Sequence, residues 1–279
     1  MGFLSGVPMF KFFIKKNFAD GWDNFFFLIL TNAIQIILLS GSYFALKFSG
    51  SIHPLLPDLV LLPCSALLMT SIFAWGANAA KIADFRAGTF SVYFSAIKSV
   101  WKIACLSGVF FGIAFLFIRF AFSYYISLYF TKGSILGLLI TAALGWFLFV
   151  CLVALQWFVP LYYLQESNGF VKCLKKSFII FYDNVFFSIG VFFYNLLLAI
   201  LSCIAFLLIP GINGLLLSST NALRLRLYKY DWIEKMNEEN PGFENDRDKR
   251  NEVPWDELLA EDKESLGPRK LSSFIFPWK

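Results

Sequence analysis

Read for its apolar and polar positions, the chain divides into long apolar runs, introduced in pairs by basic, aromatic segments. Six runs stand out, at about 25–47, 59–82, 103–125, 135–155, 185–208 and 215–228. The first five reach the roughly 20 residues that a helix needs to cross a hydrocarbon core. The sixth is shorter and carries Ser218, Ser219, Thr220 and Asn221. Ahead of the first run, Phe10, Phe13, Ile14 and Phe18 fall at helical spacing, with Lys11, Lys15 and Lys16 on the complementary side. Within 81–102, Phe90, Tyr93, Phe94, Ile97 and Trp101 oppose a stripe that includes Lys98 and Lys102. From Glu166 to Phe181, Phe170, Leu174, Phe178 and Phe181 oppose Lys172, Lys175 and Lys176. Such segments are expected to lie in the interface, aromatic rings in the acyl boundary and lysines among anionic head groups. The runs do not alternate with period two, as the strands of a membrane barrel would. The expected fold is all-α: a polytopic membrane protein of about six transmembrane helices over residues 1–230. They form three hairpins, each preceded by a basic amphipathic interfacial helix.

An internal repeat supports this division. KKNFADGWDNFFF at 15–27 and KKSFIIFYDNVFF at 175–187 align without a gap and are identical at seven of thirteen positions, Asp23-Asn24 matching Asp183-Asn184. A weaker copy, Lys98 with Trp101 and Lys102, precedes the run that starts at Ile103, giving a period of about 80 residues. Asp23 and Asp183 are expected to cap the helices that follow them.

Composition agrees: 58% of residues are hydrophobic, above the roughly 45–50% of soluble domains. The net charge of +5 divides unevenly. Residues 1–230 hold 16 Lys/Arg against 6 Asp/Glu, and residues 231–279 hold 8 against 13. With six spans, 13 of the first 16 basic residues fall on one side, and all but Lys47, Arg119 and Lys132 are then cytoplasmic. Both termini are thereby expected in the cytoplasm, with the chain in a bacterial-type inner membrane. The first run is too long for a signal-peptide core and lacks a small-residue cleavage site, so it is expected to be retained. The acidic tail, 231–279, is expected to be largely disordered. Within it, Trp255-Asp256-Glu257-Leu258-Leu259 behind Pro254 can start a short helix, and the aromatic stretch 273–279 is expected to fold back on the interface.

Polar residues inside the runs are the candidates for function: Asn32, Gln35, Asn78, Arg119, Gln156, Asn195 and Asn221, since amides and charges in hydrocarbon need partners. Arg119 is expected to snorkel toward Tyr124, Tyr125 and Tyr129. Gly108 and Gly112 have the spacing of a close helix contact. The candidate lipid contacts are Lys15, Lys16, Lys98, Lys102, Lys175 and Lys176. Catalytic equipment is not evident. The one histidine, His53, has no HExxH around it, the five cysteines form no CxxC, and no phosphate-binding loop occurs. No cofactor, metal, enzymatic activity or nucleic-acid partner is expected.

Three passages resemble the YesL family of small bacterial membrane proteins: the early span with Pro63-Cys64-Ser65-Ala66-Leu67; Lys81-Ile82 and Asp84-Phe85 with the basic run to Lys98; and Val159-Pro160-Leu161 with Leu174-Lys175-Lys176-Ser177-Phe178. The resemblance covers most of residues 10–230. The long acidic tail and phenylalanine-rich spans depart from the family pattern. The resemblance implies a non-catalytic membrane accessory or scaffold protein that assists a solute transporter, such as one for carbohydrates, beside its permease. The alternative is a small-solute transporter or channel, its path lined by the intramembrane amides and by Ser218 and Ser219.

Overall fold

The structure is a computed structural model that describes residues 7–246 and 249–269; the aromatic stretch at 273–279 lies outside them. All regular elements among the described residues are helical. In chain order they are α1 (Val7–Asp23), α2 (Phe25–Ile52), α3 (Leu56–Ala83), α4 (Phe90–Lys132), α5 (Ile135–Leu155) and α6 (Phe158–Leu164). Then follow α7 (Phe170–Asp183), α8 (Val185–Ile204), α9 (Gly211–Glu239), two 3-10 turns (Phe243–Asn245 and Lys249–Asn251), α10 (Trp255–Leu258) and α11 (Ala260–Leu266). Five helical stretches are long and apolar enough to cross a membrane: α2, α3, α4, α5 continued through α6, and α8. Their outward faces are apolar: Phe26, Phe117 and Phe130 are each at least 75% exposed. The chain is an all-α polytopic membrane protein.

Several element boundaries differ from the sequence pattern. α2 and α3 close the gap between the first two runs to residues 53–55, and Pro63 lies inside α3. The expected interfacial helix before the third span and the span itself are one helix, α4, of 43 residues, about 65 Å long. No glycine or proline interrupts it between Phe90 and Ser107, so nothing stops helical propagation at the polar-to-apolar boundary. Thr89 caps it by accepting a bond from the Val92 amide. α5 ends at Gln156-Trp157 because Pro160, at the third position of α6, removes a donor and crowds the carbonyl four residues back, that of Gln156.

The spacing of Gly108 and Gly112 is used as a helix contact. A Cβ on Gly108 would lie 2.5 Å from the Ala66 Cα of α3, and Ser65 Oγ donates to the Gly108 carbonyl at 2.9 Å. Without side chains at these two points, α3 and α4 approach backbone to backbone.

The sixth apolar run becomes α9, a helix of 29 residues that is not one of the five. It lies buried in the middle of the molecule, packed on α1, α2, α3, α6 and α8. Leu217, Ala222, Leu223 and Leu225 enter the core while Asn213, Ser218, Ser219, Thr220 and Asn221 are buried beside them. Its polar content is therefore buried among helix neighbours and is not offered to lipid.

The tail also departs from expectation. Residues 231–239 continue α9, and the helix stops just before Pro241-Gly242. Trp255, on α10, and Leu259 and Leu266, beside and on α11, are buried in the main core with Met9, Phe13, Trp157 and Leu223. A largely disordered tail gives way to a docked one because these three apolar anchors bury enough surface to offset the entropy of ordering it.

Candidate functional site

Two polar assemblies interrupt the apolar packing, one within the bundle and one at its basic end. The first begins at Asn32 on α2. Its Nδ2 donates to the carbonyls of Leu208 and Pro210, at 2.9 and 2.7 Å, and its Oδ1 accepts from the Asn213 amide at 3.0 Å. The α8–α9 turn exposes backbone groups that no helix satisfies, and buried backbone groups need partners. One amide side chain supplies donors and an acceptor at once. Gly211 makes the approach possible: it has φ +65°, and a Cβ there would meet Asn32 at 2.3 Å. The turn is thus fixed beside the eighth residue of α2, which continues for another 20 residues, about 30 Å, to Ile52.

The other interior candidates act in the same way. Gln35 donates to Ser71 Oγ at 2.7 Å, and Ser71 shares a 2.6 Å bond with the Tyr93 hydroxyl, joining α2, α3 and α4. Asn78 Oδ1 accepts from the Thr89 amide at 2.9 Å and so holds the start of α4. Gln156 donates to the carbonyls of Val153 and Ser188, and Asn195 on α8 donates to Ser219 on α9 at 3.0 Å. Asn221 donates to Asn17 on α1 at 3.2 Å, and Asn17 to Tyr194 at 3.1 Å. Arg119 stands apart from these: it pairs with Asp58 in the first turn of α3 at 2.6 Å instead of only snorkelling among tyrosines. Several buried atoms remain without a protein partner, among them Gln35 Oε1, Asn195 Oδ1, both side-chain polar atoms of Asn213, Ser218 Oγ and Asn221 Oδ1.

The second assembly surrounds the C-terminal half of α9. Of the six lysines expected among lipid head groups, Lys98, Lys102 and Lys175 are exposed, Lys15 is half-buried, and Lys176 is half-buried and donates to Gln165 at 2.8 Å. Lys16 is fully buried. Its ammonium pairs with Asp20 at 2.9 Å and lies 3.6 Å from the centre of the Phe85 ring. It faces inward because α1 uses its Met9–Phe13–Lys16–Asp20 side against the core and leaves Ile14, Phe18 and Trp22 partly exposed. Burial pushes the Lys16 pKa down and the Asp20 pKa up, because loss of hydration outweighs their attraction.

Beside this pair, Arg224 on α9 bonds Asp262 on α11 at 2.7 Å and reaches Asp84, after α3, at 3.5 Å. Tyr228 donates to the second Asp262 oxygen at 3.2 Å. The two repeat aspartates do not cap helices. Asp23 pairs with Arg269, and Asp183 accepts from Tyr230 at 2.7 Å and from Arg250 at 3.1 Å. Their neighbours Asn24 and Asn184 each donate to the carbonyl four residues back, so both helix junctions are built alike. Arg226 donates to Asn184 Oδ1. Burial opposes ionisation of Asp183, but the Tyr230 hydroxyl and the cations Lys229, Arg250 and Arg226 hold its carboxyl below the usual range.

The charged assembly was only half visible in the sequence. Arg224, Arg226 and Lys229 marked the end of a run, and Asp183-Asn184 marked a repeat; Arg250 and Asp262 carried no signal, since their partners lie 67 and 38 residues away. Among the described residues no three His, Cys, Asp or Glu side chains are grouped to hold a metal. Comparison with family models, with curated proteins and with solved structures gives no match.

Proposed function

We propose that this chain is a non-catalytic integral membrane accessory or scaffold protein that assists a solute transporter and presents its docked tail and basic end to a partner. The observation that carries this reading is the use of the interior amides as braces: Asn32, Gln35, Asn78, Gln156 and Asn221 each join two elements of the bundle. The resemblance to the YesL family points the same way, toward work beside a permease. The skew of basic residues toward one end, together with the Asp23–Arg269 pair that brings the two ends of the described chain to the same end of the bundle, supports an inner-membrane location with both termini cytoplasmic. Affinity purification of the full chain from native membranes tests it. A permease recovered in stoichiometric amount is expected, and recovery of the chain alone from mild detergent and from crosslinked cells would count against it.

A second reading, a small-solute transporter or channel, is favoured by one feature. The unpartnered atoms of Asn195, Asn213, Ser218 and Asn221 cluster on α8 and α9, where water or a polar solute would satisfy them. Solute flux into proteoliposomes by the purified protein alone, lost in Asn213→Leu, would support this reading over the first.

A further inference from the structure

Lys229 differs from the other cations at the basic end. It is 4% exposed, on the last part of α9, and no side chain or carbonyl among the described residues accepts a hydrogen bond from it. Around it are Arg226, held to Asn184, and Arg250, held to one oxygen of Asp183, whose other oxygen accepts from Tyr230. Arg250 Nε is itself buried and unpartnered. Three cations therefore face one carboxylate, and that carboxylate already accepts from three groups, Tyr230, Arg250 and Asn184. Positive charge in this excess, with one guanidinium nitrogen buried and unpartnered, is unfavourable unless an anion completes it.

The donors left over determine the chemistry. Lys229 offers up to three N–H groups and Arg250 four, the buried Nε–H among them, from directions set by two different elements. A carboxylate presents two oxygens in one plane, whereas a phosphate group presents three around a tetrahedron and carries the charge that balances the excess. We propose that Lys229, Arg226 and Arg250 form a binding site for a phosphate group where the α7–α8 junction meets α9 and the turn Lys249–Asn251. The site lies where the sixth apolar run ends, at the end that carries the amphipathic α1 and α7, where lipid phosphates and soluble phosphate esters are both within reach. Asp183 is the built-in orienting acceptor: it fixes Arg250 and leaves its Nε free. The proposal is independent of any transporter partner. The strong burial of Lys229 also accounts for a pKa lowered to about 8, mainly by desolvation and then by Arg226.

The test uses the full chain in a neutral detergent and in phosphatidylcholine nanodiscs with and without phosphatidic acid. Thermal unfolding is followed against inorganic phosphate in detergent, with chloride at matched ionic strength as control, and against phosphatidic acid content in nanodiscs. Wild type is expected to be stabilised by at least one, and Lys229→Met and Arg250→Gln to weaken the apparent affinity by about tenfold or more. Stabilisation by phosphatidic acid alone assigns the site to a lipid head group; stabilisation by inorganic phosphate as well assigns it to a soluble phosphate. Arg250 sits on a surface turn, so Arg250→Gln decides the matter if Lys229→Met does not fold. No stabilisation of wild type, or equal stabilisation of the variants, overturns the proposal.

Discussion

Arg224 and Asp262 meet at 2.7 Å across 38 residues of chain, and through them the tail is tied to the central helix of the membrane domain. Their side chains are 16% and 6% exposed, so this is a shielded pair reinforced by the Tyr228 hydroxyl, not a surface contact. Replacing Asp262 with Ala leaves Arg224 with the longer contact to Asp84 and its packing over the Phe85 and Tyr228 rings. Removing one partner of a buried pair costs about 3–5 kcal/mol, and Asp84 offsets part of it. The expected outcome is release of α10 and α11, seen as faster proteolysis between residues 240 and 270 with the spans left intact. Unchanged cleavage would show that Trp255 and Leu259 suffice to dock the tail.

Asn32→Leu tests the brace at the α8–α9 turn. The change removes three hydrogen bonds and strands the Leu208 carbonyl and the Asn213 amide, while the Pro210 carbonyl keeps its bond from the Gly214 amide. At about 1–3 kcal/mol for each buried group stranded, the loss is large. A marked fall in the melting temperature in detergent is expected. Asn32→Asp, which keeps the acceptor for Asn213 but not the two donors, should lie between.

Gly108→Leu places a branched side chain where even a Cβ would meet the α3 backbone at 2.5 Å. Overpacking of a well-fitted contact costs about 1–3 kcal/mol, and more where backbone must move. Gly145, with nothing within 4 Å of an added Cβ, serves as the control. Gly108→Leu should lower thermal stability and Gly145→Leu should leave it nearly unchanged.

Lys229 makes stability depend on pH. Its pKa falls from 10.5 unfolded to about 8 folded, with burial the main cause. Between those values the unfolded chain binds more protons than the folded one, so stability rises as the pH increases. Below about pH 8 the lysine is charged in both states and its full burial cost is present. Lys16, lowered by burial in the same direction, adds to the slope. Without phosphate, the melting temperature should rise from pH 7.5 to 9.5, and Lys229→Met should be more stable at the lower pH and show a shallower rise.

Membrane residence and helical class were legible from the chain itself because a run of some twenty apolar residues is a local property: the cost of leaving backbone groups unpaired in lipid makes each run a helix whatever its neighbours are. The contact at Gly108 and Gly112 was readable for the same reason, as it depends on a few adjacent residues. The inward turn of Lys16, the ion pairs of Asp183 and Asp262, and the docking of Trp255 were not. In the sequence a basic amphipathic helix presents the same faces whether lipid or protein covers them. Only the tertiary arrangement, by placing α9 against α1 and the tail beneath both, decided which charges are buried together and which remain without a partner.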